Sequence, residues 1–306
     1  FRCTVENKEK IMTKLIASAN TTLACFGDVP IEFGLYHISG AVYRIADSLT
    51  LGNMLVVDAS EGLLVVDAKI ADCYPALYDL IYGHFKKPVK FMVMSHCHPD
   101  HVAGVTGMCV DKPVIIAHEN TADYVACDQL LPVLHEPFPA LPEEFRPTVL
   151  AQDKLTLWWG DETLTLRHMP GHTDGDLVIF AEAAKVVHTA DLCTFGGFPY
   201  VGINAGGGVD IMLTALKAVA DIIDDATIVS PGHGELRDKA GLLEYIDLLQ
   251  DARDNVAAML RQKATLTEII AEGPTARIAA TYTGVGPLTQ ALFEELLYLA
   301  LIQNGF

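Results

Sequence analysis

The sequence predicts an α+β protein in which two β-sheets stack face to face with helices outside. Three observations carry this. Apolar, β-branched runs recur through residues 34–117 and again through residues 154–230. Each of these stretches gives hairpins first and a helical pattern later. Several of the strands run into a His or Asp, which gathers polar groups at one edge of a buried framework.

In the first half, residues 34–38 and 42–45 have strand-like alternation or β-branching. Residues 54–58 and 63–67 flank the turn Ala59-Ser60-Glu61-Gly62, a hairpin signal. Residues 74–84 read as a helix, residues 89–94 as a buried strand, and a helix is expected from Val102. Residues 112–117 give another strand and 118–127 have helical spacing. Five prolines fall within residues 131–148, so this stretch reads as a loop and as a candidate lid.

In the second half, residues 154–159 and 163–168 surround Gly160-Asp161 as a hairpin, and strands at 177–180 and 185–189 follow. An amphipathic helix at 209–223 precedes a short strand at 226–230. Residues 237–306 read as a helical extension poor in ligand-type side chains, a packing or dimerisation surface that includes helices at 238–265 and 287–301. The last of these opens with Pro287, a residue suited to a first helical turn. Residues 1–33 read as a leader, amphipathic or without regular structure, because Asn20-Thr21-Thr22 interrupts its apolar run. No run of eighteen apolar residues occurs, so no membrane span is expected.

Composition narrows the function. The chain has 306 residues, 51% of them hydrophobic, enough to bury a large core. Its 21 Lys and Arg against 39 Asp and Glu give a formal charge of −18, which sets it against nucleic acid. Seven scattered cysteines without a C-x-x-C argue against a disulfide framework or a zinc ribbon, and for a reducing, cytoplasmic setting.

The chemistry concentrates in Ser95-His96-Cys97-His98-Pro99-Asp100-His101, directly after the strand at 89–94. Three imidazoles and a carboxylate within six residues deliver nitrogen and oxygen donors to one point, as a divalent metal requires. Three later segments add to it: Met169-Pro170-Gly171-His172-Thr173-Asp174-Gly175, then Val187-His188-Thr189-Ala190-Asp191, then Ser230-Pro231-Gly232-His233-Gly234. In each, a His or Asp stands beside Gly or another small residue, which lets backbone crowd close to a site.

In this order these motifs resemble the metallo-β-lactamase superfamily of hydrolases, over roughly residues 34–236. The resemblance implies a four-layer αββα sandwich with its metal site at one edge between the sheets. It implies that His96, His98 and His172 bind one metal, that Asp100, His101 and His233 bind a second, and that Asp191 bridges both. Asp67 matches the family's early Asp and is expected to orient a ligand. Ala190 stands where the family usually has Gly. The bridging Asp191 is similar to that of glyoxalase II-like and lactonase-like members, which puts β-lactam hydrolysis second. A mononuclear iron enzyme resembling persulfide dioxygenases is the alternative on the same scaffold.

The expected cofactors are two divalent ions, zinc first, with iron or manganese as alternatives. The expected reaction is hydrolysis of an ester, lactone or thioester carbonyl by a water deprotonated between the ions, with Asp100 helping to orient it or move its proton. Alternation points Cys97 away from the site. Tyr200 and Asn204, in the Gly-rich and aromatic stretch after Asp191, are candidate hydrogen-bond donors to a developing oxyanion. The expected partner is a small molecule, neutral or weakly charged given the acidic chain, with no nucleic acid, no membrane and room for a homodimer.

Overall fold

At residues 54–57 and 63–66 every side chain is apolar, because both faces of the strands there are covered. The computed structural model describes residues 11, 13–131, 136–282 and 288–306. The first sheet begins with β1 (Lys14–Leu23), β2 (Val29–Ser39), β3 (Val42–Asp47), β4 (Met54–Ala59) and β5 (Gly62–Val66), an antiparallel meander. It continues in parallel through β6 (Val89–Val93) and β7 (Val114–His118). Parallel neighbours need crossovers, and these carry α1 (Tyr74–Tyr78), α2 (Pro99–Val102) and α3 (Val105–Met108). After α4 (Glu119–Val125), β8 (Gln129–Leu131) and β9 (Glu136–Phe138) form a separate small hairpin. Then β10 (Val149–Ala151) closes the eight-stranded sheet beside β7.

The second sheet is β11 (Lys154–Trp159), β12 (Glu162–His168), β13 (Leu177–Ala181), β14 (Val186–Phe195) and β15 (Ile228–Gly234), in that order. Its pairs are antiparallel until β15, which runs parallel to β14 after a crossover through α5 (Val209–Ile222). Four more helices follow: α6 (Lys239–Arg261), α7 (Leu266–Glu272), α8 (Ala276–Thr281) and α9 (Gln290–Gln303).

The period-2 geometry of the strands divides the interior into three layers. Leu55, Val57, Leu64, Val66 and Val93 of the first sheet meet Leu164, Leu166, Leu177 and Ile179 of the second. Val56, Leu63, Val65 and Met92 face the other way, onto Leu77, Val102, Val105 and Val125 of the outer helices. Val178, Phe180 and Val187 face a third layer built with α5 to α9. This is the four-layer αββα sandwich that the resemblance implied.

Two expectations at element level change. Residues 14–33 were expected as a leader, yet they form β1 and the first part of β2. Thr, Ser, Asn and Ala suffice there because β1 is an edge strand with one neighbour to satisfy. Residues 131–148 were expected as a loop, but Pro137 lies opposite Leu130 in the β8–β9 hairpin, where a missing N–H is tolerated. Residues 1–10 and 12 of the expected leader, residues 132–135 of the expected loop and Pro287 lie outside the described residues. The helical tail shares its core with the second sheet. In α9 alone, Phe293, Leu296, Leu297 and Leu301 are completely buried. At roughly 1.5–3 kcal/mol per side chain, an upper bound, that rivals the whole stability of an ordinary domain. Among the described residues no helix is long and apolar enough to cross a membrane.

Candidate metal centre

The seven residues expected as ligands come together at one edge of the sandwich, from four separate segments. His96 and His98 lie in the loop after β6. A helix was expected from Val102, but it begins three residues earlier with Pro99 in its first turn, which carries Asp100 and His101. His172 lies between β12 and β13, Asp191 within β14 and His233 within β15. β14 was expected to stop near Thr189; it runs on to Phe195 because β15 pairs with it, with register shifts either side of Ala190. Ala190 has φ +45°, a left-handed conformation that explains why glycine suits this position.

Donor atoms of His96, His98, His172 and Asp191 lie within 4.8 Å of one another, and those of Asp100, His101 and His233 form a second such group. Asp191 reaches both. Its Oδ2 is 3.9 Å from His96 Nε2, 3.6 Å from His172 Nε2 and 3.2 Å from His233 Nε2, and its Oδ1 is 3.0 Å from His101 Nε2. Asp100 Oδ2 stands 3.2 Å from His233 Nε2. Six of the seven are buried or nearly so, whereas the Asp100 side chain is 31% exposed and marks the open side.

Hydrogen bonds to the far ring nitrogens fix how these imidazoles point. His101 Nδ1 donates to Asp67 Oδ2 at 2.8 Å. His172 Nδ1 donates to the Tyr200 carbonyl at 2.8 Å, and His233 Nδ1 to the Thr50 carbonyl at 2.7 Å. Each acceptor carries no proton of its own, so in the neutral ring each Nε2 faces the centre with a bare lone pair. Asp67 is itself held by the Ser95 amide and hydroxyl, both at 2.8 Å.

With neutral rings, acceptor therefore faces acceptor where His101 Nε2 confronts Asp191 Oδ1, whereas His172 Nε2 lies within hydrogen-bond distance of His98 Nδ1, at 2.7 Å. His96 Nε2 and Asp191 Oδ1 are buried without a hydrogen-bond partner. Only a cation or a proton relieves such an arrangement, and the nitrogen and oxygen donor set fits a divalent metal. Charge is distributed unevenly. Burial, then His101, pushes His96 far below the usual imidazole range, and burial with His172 pushes His98 down to about 3. Burial also opposes charge on His101 and His233. There, however, the nearby carboxylates win, holding His101 far above its ordinary value and His233 at about 10. Asp191 is held well below the carboxylate range because His233 and His101 outweigh its burial.

Other expected residues fall as follows. The Cys97 side chain is buried in the apolar layer outside the first sheet, and burial pushes its thiol up, so it points away from the site as alternation required. Tyr200 sets its ring edge-on to His98 with centroids 5.4 Å apart, and its buried hydroxyl has no hydrogen-bond partner. Asn204 donates from Nδ2 to the Leu130 carbonyl at 3.3 Å, on the β8–β9 hairpin. Sequence reasoning missed Asp176, whose carboxylate accepts from the amides of His172 and Thr173 and from the Thr173 hydroxyl. Its place directly after the His172 motif was the available signal.

A family model for the metallo-beta-lactamase superfamily matches residues 49–233, which span the whole donor set. The chain belongs to the metallo-beta-lactamase superfamily. It is a metal-dependent hydrolase of that superfamily. It is similar to a metallo-beta-lactamase type 2 of Bacillus cereus, 26% identical over 202 residues, 65% of this chain and 73% of the relative. It is 34% identical over 83 residues to a linear primary-alkylsulfatase of a Pseudomonas species, 26% of this chain and 12% of that one. In fold it is similar to a stereoselective inverting sec-alkylsulfatase from Pseudomonas, with TM-score 0.65 at 17% identity. That likeness covers 87% of this chain, and the chain spans only 50% of the alkylsulfatase's length. A metallo-beta-lactamase from Pontibacter korlensis matches with TM-score 0.54 at 19% identity, over 78% of this chain and 100% of that one.

Proposed function

We propose that this superfamily member is a dinuclear hydrolase of ester, lactone or thioester carbonyls, acting on neutral or weakly charged small molecules. Asp191 carries the reading, because its two oxygens address both donor groups. His96, His98 and His172 would hold one ion, Asp100, His101 and His233 the other, with Asp191 shared. Zinc suits this donor set best, and iron or manganese accept the same ligands. Ions bound there supply a water acidified to near-neutral pH and a Lewis acid for the scissile carbonyl.

The chain's own residues do the rest. Asp67, Thr50 and Tyr200, through the last two residues' carbonyls, keep the imidazole lone pairs turned inward. Asp100, on the open side, is placed to accept a proton at Oδ2 or to orient the attacking water. Tyr200, beside His98, and Asn204, bonded to the Leu130 carbonyl, are proposed substrate contacts. Arg44 and Lys69 are both engaged within the protein, so a strongly anionic substrate finds little to bind in this acidic chain. Six cysteines without disulfide partners among the described residues support a reducing, cytoplasmic setting.

The second reading is β-lactam hydrolysis, favoured by the Bacillus cereus relative. Elemental analysis together with a panel of ester, lactone, thioester, cephalosporin and alkyl sulfate substrates separates the readings. Close to two ions per chain with turnover of a neutral ester or lactone is expected. One iron with no second metal, and oxygen consumption in place of hydrolysis, overturns the proposal.

A further inference from the structure

The segment from the last residue of β3 to the start of β4, residues 47–53, is short and mostly polar, and nothing in its sequence marks it. Its anchorage is unusual. Lys69 Nζ lies 2.7 Å from Asp47 Oδ2, and neither side chain has any exposed surface. The same ammonium donates to the carbonyls of Gly52 at 2.5 Å and Leu51 at 3.3 Å. Asp47 Oδ1 in turn accepts the amides of Leu49 and Leu51. Lys69 adopts φ +57°, as does Thr50. Burying an ion pair and holding two non-glycine residues in the left-handed region both cost stability, so the rest of the structure must fix this geometry.

What the segment touches is one side of the metal centre. The Thr50 carbonyl accepts from His233 Nδ1 at 2.7 Å. Gly52 is so close to His101 that a Cβ there would stand 2.6 Å from the ring. The Asn53 amide donates to the Gly232 carbonyl at 2.6 Å, and its side chain donates to the carbonyls of Pro231 and Gly234. Arg44 braces the arrangement through Asn53 Oδ1 and the Gly234 carbonyl. His96 and His172 take their support elsewhere, from Ser95, Tyr200 and Asp176.

We propose that residues 47–53, pinned by the buried Lys69–Asp47 pair and by Asn53, form a positioning strap for the Asp100, His101 and His233 group alone. It sets the orientation of two histidines through a carbonyl and a steric contact, and its residues are positioning residues rather than catalytic ones. The inference rests on the two-ion reading above.

The test uses the full chain stripped of metal and titrated with cobalt(II), each binding step followed by visible absorption and by competition with a chelator. Lys69→Met alone would strand the Asp47 charge, so it is combined with Asp47→Asn. Asn53→Ala is the second, milder variant. Thr275→Val, which removes a buried hydroxyl bonded to Glu294 in the helical tail, controls for general destabilisation. In both strap variants one binding step, the same in each, is expected to lose about 10- to 100-fold in affinity, while the other changes by less than about threefold. The control should leave both steps unchanged. Equal loss at both steps, no loss at either, or the same selective loss in Thr275→Val overturns the strap. Two ions in wild type with unaltered variants overturns the strap alone; a single ion in wild type overturns the two-ion reading and the strap with it.

Discussion

Gly232→Ala adds one methyl group at the most crowded point of the site. The new Cβ would lie 1.8 Å from Asp191 Oδ1 and 2.7 Å from the Ala190 carbonyl carbon. An ordinary contact begins at about 3.4 Å, so either the carboxylate or the β15 turn must move by about 1.6 Å. Both neighbours are rigid: Asp191 lies in a completely buried strand, and the turn is tied to Asn53. A displacement of about 1 Å in a catalytic constellation costs about 100-fold in rate, or about 2.7 kcal/mol of transition-state stabilisation. We therefore expect kcat/KM on the best substrate of the panel to fall at least about 100-fold, with metal content reduced in parallel. Gly83→Ala is the matched control, since a Cβ there meets nothing within 4 Å and the position is helical. It should leave activity unchanged and keep or raise the thermal midpoint. A Gly232→Ala enzyme that retains both ions and works within about threefold of wild type would refute the argument that Asp191 must sit where it does.

Three further outcomes are expected. Asp191→Ala should abolish turnover and lower metal content, while Cys97→Ala keeps activity and costs about 1 kcal/mol in denaturant unfolding, because its thiol lies in the apolar layer. Dialysis against a chelator should stop turnover and lower the thermal midpoint, and added zinc should restore both. His118 is held below its ordinary 6.5 by burial and by His168 stacked 3.7 Å away, and its Nδ1 accepts the Asn120 amide. A depressed imidazole favours the neutral ring in the fold, so its contribution is complete above about pH 6.5 and fades as pH falls. His118→Asn should therefore lose less stability than wild type between pH 7.5 and 5 in urea titrations, and an unchanged slope would contradict this.

All seven donors were legible because the chain presents them where local pattern speaks. Four lie within six consecutive residues, and the other three sit beside glycine or alanine in strand-adjacent segments. The sandwich was legible because strands buried on both faces leave long apolar runs. The supports were not. Arg44 meets the Gly234 carbonyl across 190 residues, and Asn53 meets that of Pro231 across 178, so no periodicity or spacing announces them. Lys69 and Asp47 each look like a surface residue until both are seen without exposure. β1 escaped notice because an edge strand needs few apolar side chains.

The two sheets are separate ladders, with no strand pairing between them among the described residues. Yet each donor group draws on both: His96 and His98 with His172 and Asp191, Asp100 and His101 with His233. Any ion held there is a clasp between halves that otherwise meet mainly through apolar contact and through the hydrogen bonds of Arg44 and Asn53 to β15. If the chain were cut between β10 and β11, the two fragments would have their strongest directional attachment at this edge. Their reassembly would then depend on metal concentration, and the hydrolase would become a reporter of its own cofactor.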